Sequence, residues 1–125
     1  MDNEIIKQLE VINSVIGSAD EMLYLLENHN TVDDKIYTTI SDILDFYQKV
    51  VHGLPEILMT EHNGAINKNS LTNTYDKMVD SWDDFIIDKK TFYTLWEDFK
   101  IKWEVYYKSI KKIDRSPKTI YLSMN

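Results

Sequence analysis

The groups that could support acid–base or metal chemistry in this 125-residue chain are three histidines and twenty-one carboxylates, with no cysteine to serve as nucleophile or thiolate ligand. Their spacing matters more than their number. A di-metal site in a helical protein needs Glu-x-x-His pairs, because residues three apart share a helix face, and none occurs. Helical pyrophosphohydrolases need Glu-x-x-Glu and Glu-x-x-Asp sets for magnesium, and these are also missing. Glu61 and His62 are adjacent, where neighbouring side chains diverge, and His29, His52 and His62 are scattered singles that read as surface or helix-end residues. Arg115 is the only arginine and no histidine follows it, which excludes a nuclease built on an Arg-and-His motif. Gly17, Gly53 and Gly64 stand too far apart for a phosphate loop. The expectation is no catalytic residue, no cofactor and no resident metal.

Three features have the makings of a docking surface. Asp76, Asp80, Asp83 and Asp84 recur at helical spacing opposite Tyr75, Met78, Trp82 and Phe85, which predicts a solvated acidic ridge suited to a basic partner. Ile101 and Val105 lie one turn apart, away from the stripe of Phe99, Trp103 and Tyr106. Either the chain's own end, Ile120-Tyr121-Leu122, folds back over them, or a partner or second copy covers them. Lys100, Lys108, Lys111 and Arg115 gather near Tyr107 at the basic end.

Residues 1–62 hold three basic and twelve acidic residues, whereas residues 63–125 hold eleven and nine, within a formal net charge of −7. That sum argues against nucleic acid as a partner. Cations near a helix C-terminus, with Glu104 and Lys108 four apart, have a simpler explanation in helix electrostatics. The same asymmetry permits a homodimer in which the basic end of one copy meets the acidic half of another.

The elements that must position these groups are helices. Ile5, Leu9, Ile12, Ile16, Ala19, Leu23 and Leu26 alternate steps of four and three, which keeps them on one stripe. Ile36, Ile40, Ile43, Tyr47, Val50, Leu54 and Ile57 repeat the rhythm. Leu71, Tyr75, Met78, Trp82 and Phe85 follow, then Phe92, Trp96, Phe99, Trp103, Tyr106, Ile110 and Ile113. The spacing predicts helices over 3–28, 32–58, 70–87 and 90–114, with Thr31 capping the second and a kink or break near Gly53-Leu54-Pro55. Lys89 falls in phase between the last two stripes, so one helix from Leu71 to Ile113 is the alternative to a turn at Asp88-Lys89-Lys90-Thr91. Pro117 should end the fourth helix and leave 116–125 extended.

Three Gly, two Pro and 43% hydrophobic residues favour a packed all-α fold over an all-β one. The expected architecture is an antiparallel, up-and-down four-helix bundle forming one domain. No apolar run is long enough to span a membrane, and the start MDNEIIKQLE lacks the pattern of a signal peptide, so a cytoplasmic protein is expected. The Asn-, Lys-, Ile- and Tyr-rich vocabulary suits an AT-rich bacterial or phage genome. The functional expectation is a non-enzymatic module that binds one protein partner: an adaptor or inhibitor of the immunity, antitoxin-like or phage-encoded kind. The alternatives are a cytosolic chaperone for a secretion or flagellar substrate, or an enzyme with an unrecognised site.

Overall fold

The computed structural model describes residues 3–28, 32–56 and 68–124, with side chains as far as Lys111. Four helices follow one another: α1 (Asn3–Glu27), α2 (Asp34–His52), α3 (Lys68–Trp82) and α4 (Lys89–Met124). Helix α1 packs on α2 and α4, and α3 packs on α2 and α4, so each helix has two adjacent neighbours. Side-chain bonds show the directions. Lys111, Trp103, Trp96 and Tyr93 of α4 meet Glu10, Asn13, Asp20 and Leu23 of α1 in descending order. Trp82 and Tyr75 of α3 reach Ser41 and Leu44 of α2. The architecture is an antiparallel four-helix bundle.

Each stripe supplies the core, with one adjustment. Leu9, Ile12, Ala19, Leu23 and Leu26 are buried on α1 as the four-three rhythm requires. On α2 the buried centre is Ile40, Leu44 and Val51, while Ile36, Ile43, Tyr47 and Val50 are only half-buried against it. That helix is rotated by about one position from the predicted stripe, because it must face α1 and α3 at once. Helices α3 and α4 share an aromatic layer: Trp82, Phe85 and Phe92 stand with ring centroids 4.5–5.6 Å apart, and Tyr37 of α2 stacks on Trp82 at 4.7 Å. Offset and tilted contacts of this kind are favourable for rings that carry a quadrupole.

The helix ends correct several sequence expectations. Asp33 caps α2, accepting from the amides of Lys35 and Ile36 at 2.9 and 3.2 Å. A carboxylate at the positive end of a helix is a stronger acceptor there than a threonine hydroxyl; Thr31 lies outside the described residues. Helix α2 stops at His52 and not at residue 58. Gly53 caps it, and Leu54 and Pro55 are already non-helical. The expected division of residues 71–113 into two helices holds, with the turn at 83–87. Helix α3 ends at Trp82, five residues before its expected limit, and successive tight backbone bonds (Asp83 N to Asp80 O, Asp84 N to Ser81 O, Phe85 N to Trp82 O) fold the chain over. This corner lets Phe85 enter the core completely. Asp88 then caps α4 by accepting from the Thr91 amide and hydroxyl.

At the other end the extended segment expected over 116–125 is overturned: α4 continues through Pro117 to Met124. Its 36 residues span about 54 Å. Propagating an established helix adds a bond per residue, and that gain extends over several residues beyond the proline's local cost. A chain end running on along the helix axis does not return to Ile101, so the fold-back reading falls as well.

Two substitutions test this packing. A Cβ added at Gly17, exposed in the middle of α1, meets nothing within 4 Å. Gly17→Ala should therefore raise the unfolding free energy by about 0.5–1 kcal/mol, read from urea denaturation. Phe85→Ala should lower it by roughly 3–5 kcal/mol, since the ring is fully enclosed at the corner.

Candidate functional site

The polar tips of the buried aromatic side chains are spent on tying the elements of the bundle together. The three tryptophans are buried, and each donates its indole N–H to a polar side chain of another helix: Trp82 to Ser41 Oγ at 2.7 Å, Trp96 to Asp20 Oδ1 at 2.7 Å, Trp103 to Asn13 Oδ1 at 3.0 Å. Three tyrosine hydroxyls donate to backbone carbonyls: Tyr75 to Leu44, Tyr93 to Leu23 and Tyr106 to Pro55. Burial raises all three phenols, that of Tyr93 to about 12, with Glu27 adding to the effect there. They stay neutral donors in the folded state, and the stability this implies is lost only as pH climbs above the ordinary tyrosine range.

The basic end behaves likewise. Lys100 donates to Asp20 and Glu97 at 2.8 and 2.9 Å, Lys102 to Asp98 and Thr74, and Lys108 to Glu104 at 2.7 Å, the pair expected from sequence. Lys111 stands 3.8 Å from Glu10 and 4.6 Å above the Tyr107 ring, which itself stacks on Trp103. The cleft among Asn13, Ile16, Trp103, Tyr107 and Lys108 thus has cations already matched by carboxylates and little positive charge left to offer a phosphate. Tyr107 is a packing residue as much as a surface one.

Of the four aspartates in the expected ridge, the structure removes one. Asp76 turns toward α2, accepting from Gln48 at 3.0 Å, while His52 Nε2 lies 2.8 and 3.1 Å from its two oxygens. A carboxylate accepts only, so that nitrogen carries the proton. Asp80 is exposed on α3, and Asp83 and Asp84 sit in the turn beyond it, so the ridge is a cluster around a corner and not a line along a helix. Ile101 is 60% exposed and Val105 half-buried. Ile120, Tyr121 and Leu122 lie in the last turns of α4, and their side chains fall outside the described residues.

The same corner carries two residues that sequence reading missed. Ile86 and Ile87 are 69% and 87% exposed, directly after the buried Phe85. Their signal was their phase, since both fall outside the apolar stripe. On α2 the missed residue is Phe46, 67% exposed beside Val11 of α1 at 54%. A cleft of ≈ 510 Å³ separates these helices there, between Ile5, Gln8 and Val11 on one side and Phe46, Tyr47 and Val50 on the other. Among the described residues a small hollow of ≈ 20 Å³ lies in the core, lined by groups such as Ile12, Leu44 and Phe99. It offers no room for a ligand.

Among the described residues no three His, Asp or Glu side chains could together hold a metal ion, and no helix is long and apolar enough to cross a membrane. Compared with protein families, curated proteins and solved structures, the chain matches none.

The inter-helix carboxylates give a pH signature. Burial pushes the Asp20 carboxyl up, but bonds from Lys100 and Trp96 and the lysine charge outweigh it and hold the group below the usual range. Asp76 is likewise pushed up by burial and pulled lower overall by Gln48 and His52. Groups with depressed folded-state values stabilise the fold above their ordinary range near 3.8 and lose that contribution as pH falls through the folded-state value. Asp20→Asn should be less stable than the parent at pH 7. That difference should shrink as thermal unfolding is followed down through pH 4 to pH 2.

Proposed function

We propose that this chain is a non-enzymatic protein-binding module that docks through the α3–α4 corner onto an apolar pocket rimmed by basic residues. The observation that carries the reading is the pair Ile86 and Ile87, held outward between Asp83, Asp84 and Asp88. Leaving two isoleucines in water forgoes about 1.5–3 kcal/mol each that burial would return. The turn that presents them is anchored from behind by Phe85 and closed by short backbone bonds, so little ordering cost remains for binding.

The charge around this tip supports the choice of partner. Asp80, Asp83 and Asp84 are exposed on one side of it. Glu27, Asp33 and Asp34 belong to the same end of the bundle, where Lys89 reaches the carbonyl of Leu26 and Tyr37 stacks on Trp82. An apolar plug with an acidic collar favours a basic rim, since complementary charge steers encounter and rejects wrong partners. An adaptor or inhibitor acting on one protein fits this surface. A chaperone that wraps an amphipathic helix would want a long groove, and the α1–α2 cleft runs only along residues 4–12, about 12 Å of helix.

The test uses wild type, Ile86→Ser/Ile87→Ser and Asp80→Asn/Asp83→Asn/Asp84→Asn as tagged baits in lysate of the source cells. All three should unfold at similar temperatures, because the changed side chains are exposed. A basic protein retained by wild type should be lost from the isoleucine variant and weakened, roughly tenfold or more, in the aspartate variant. Identical capture by all three would contradict the proposal.

A further inference from the structure

A second unpartnered surface lies on the side of the bundle. Phe46 projects from the middle of α2 with two thirds of its surface in water, flanked by the half-buried Val50 and by Val11 of α1. Shallow, open hollows flank the ring: the α1–α2 cleft on one side, and on the other a depression bounded by Asp42, Asp45, Phe46, Lys49 and Val50, all on α2. A projecting ring beside its own hollow is a shape that can complement a copy of itself.

The charges on this face single out how the copy would lie. Asp42 and Lys49 are seven residues apart, two turns of helix, and so share the face of Phe46 at opposite ends of it. Among the described residues neither side chain takes part in an ion pair or side-chain hydrogen bond. Two α2 helices laid parallel would put Asp42 on Asp42 and Lys49 on Lys49. Laid antiparallel about a two-fold axis between residues 45 and 46, each Asp42 meets the partner's Lys49, and the match is made twice, against one repulsion between the two exposed Asp45 carboxylates nearest the axis. An isologous contact has this doubling by symmetry.

From this geometry we infer that the Asp42–Phe46–Lys49 face of α2 is a homodimer contact, with a second copy of the chain as its occupant. The two Phe46 rings pack into each other's hollows and the two Asp42–Lys49 pairs set the antiparallel alignment. The contact is separate from the α3–α4 corner, so a dimer presents two such corners and could engage a partner bivalently. The overall charge of −7 opposes association at long range. Salt both screens that repulsion and weakens the paired charges, so its net effect does not discriminate.

Charge exchange does. Sedimentation equilibrium over a concentration series into the millimolar range should show wild type passing from monomer to dimer. Phe46→Ser should associate at least about tenfold more weakly without a change in unfolding temperature. Asp42→Lys and Lys49→Asp each place like charges together twice, and each alone should be impaired. An equimolar mixture of the two places opposite charges together twice and should recover a heterodimer. The Ile86→Ser/Ile87→Ser variant should dimerise as wild type does, which separates this contact from the proposed docking corner. Wild type that stays monomeric throughout would overturn the inference and leave the face to a different protein. So would a Phe46→Ser variant that dimerises normally, or a mixture no better associated than its components.

Discussion

A buried indole or phenol brings one polar atom with it, and that atom must find a partner or cost the fold the water it gave up. In this bundle five of the six such bonds join two helices, and the sixth ties α4 to Pro55, just beyond the end of α2. Ser41, Asp20 and Asn13 receive the three indoles, and the carbonyls of Leu44, Leu23 and Pro55 receive three phenols. Apolar packing alone lets helices slide by a turn at modest cost. Six directed bonds do not, because a slip of one turn would leave several buried donors empty at once. The antiparallel alignment follows from these tips more than from the apolar stripes that bring the helices together.

The same economy explains why so little chemistry is left over. Asp20 is occupied by Trp96 and Lys100, Asp76 by Gln48 and His52, and Thr74 by Lys102. The apolar groups that remain outside stand on well-anchored backbone. Phe85 and the Asp88 cap fix the corner that carries Ile86 and Ile87, and the core residues Leu44 and Val51 fix the helix from which Phe46 projects. A backbone already fixed by folding carries no further ordering cost on association, which leaves only that of the exposed side chains.

Helices and their core were legible in the sequence because periodicity reports burial directly: the α1 stripe and the residues Leu71 to Ile110 of the last two helices are nearly all where the rhythm puts them. Rotation about a helix axis was less legible. Leu44 and Val51 outrank Ile43 and Val50 only once α2 has two neighbours, and that is a tertiary fact. The end of α3 was hidden because Phe85 keeps the helical phase while the chain is already turning. Asp76 read as part of an outward ridge because sequence spacing cannot show that Gln48 and His52 wait opposite it. The continuation of α4 past Pro117 was missed by weighing a local cost without the helix behind it. Ile86, Ile87 and Phe46 were visible as apolar residues out of phase, and that is the signal to look for in such chains.

The claim on which the rest depends is that the indole tips lock the helix register. It is tested most directly by proton NMR of the three tryptophan Nε1–H groups after transfer into deuterium oxide. All three protons should persist far longer than those of a free indole, and they should be lost together as the bundle unfolds. Three indole protons that vanish at the solvent-exposed rate while the far-ultraviolet helix signal stays intact would contradict it.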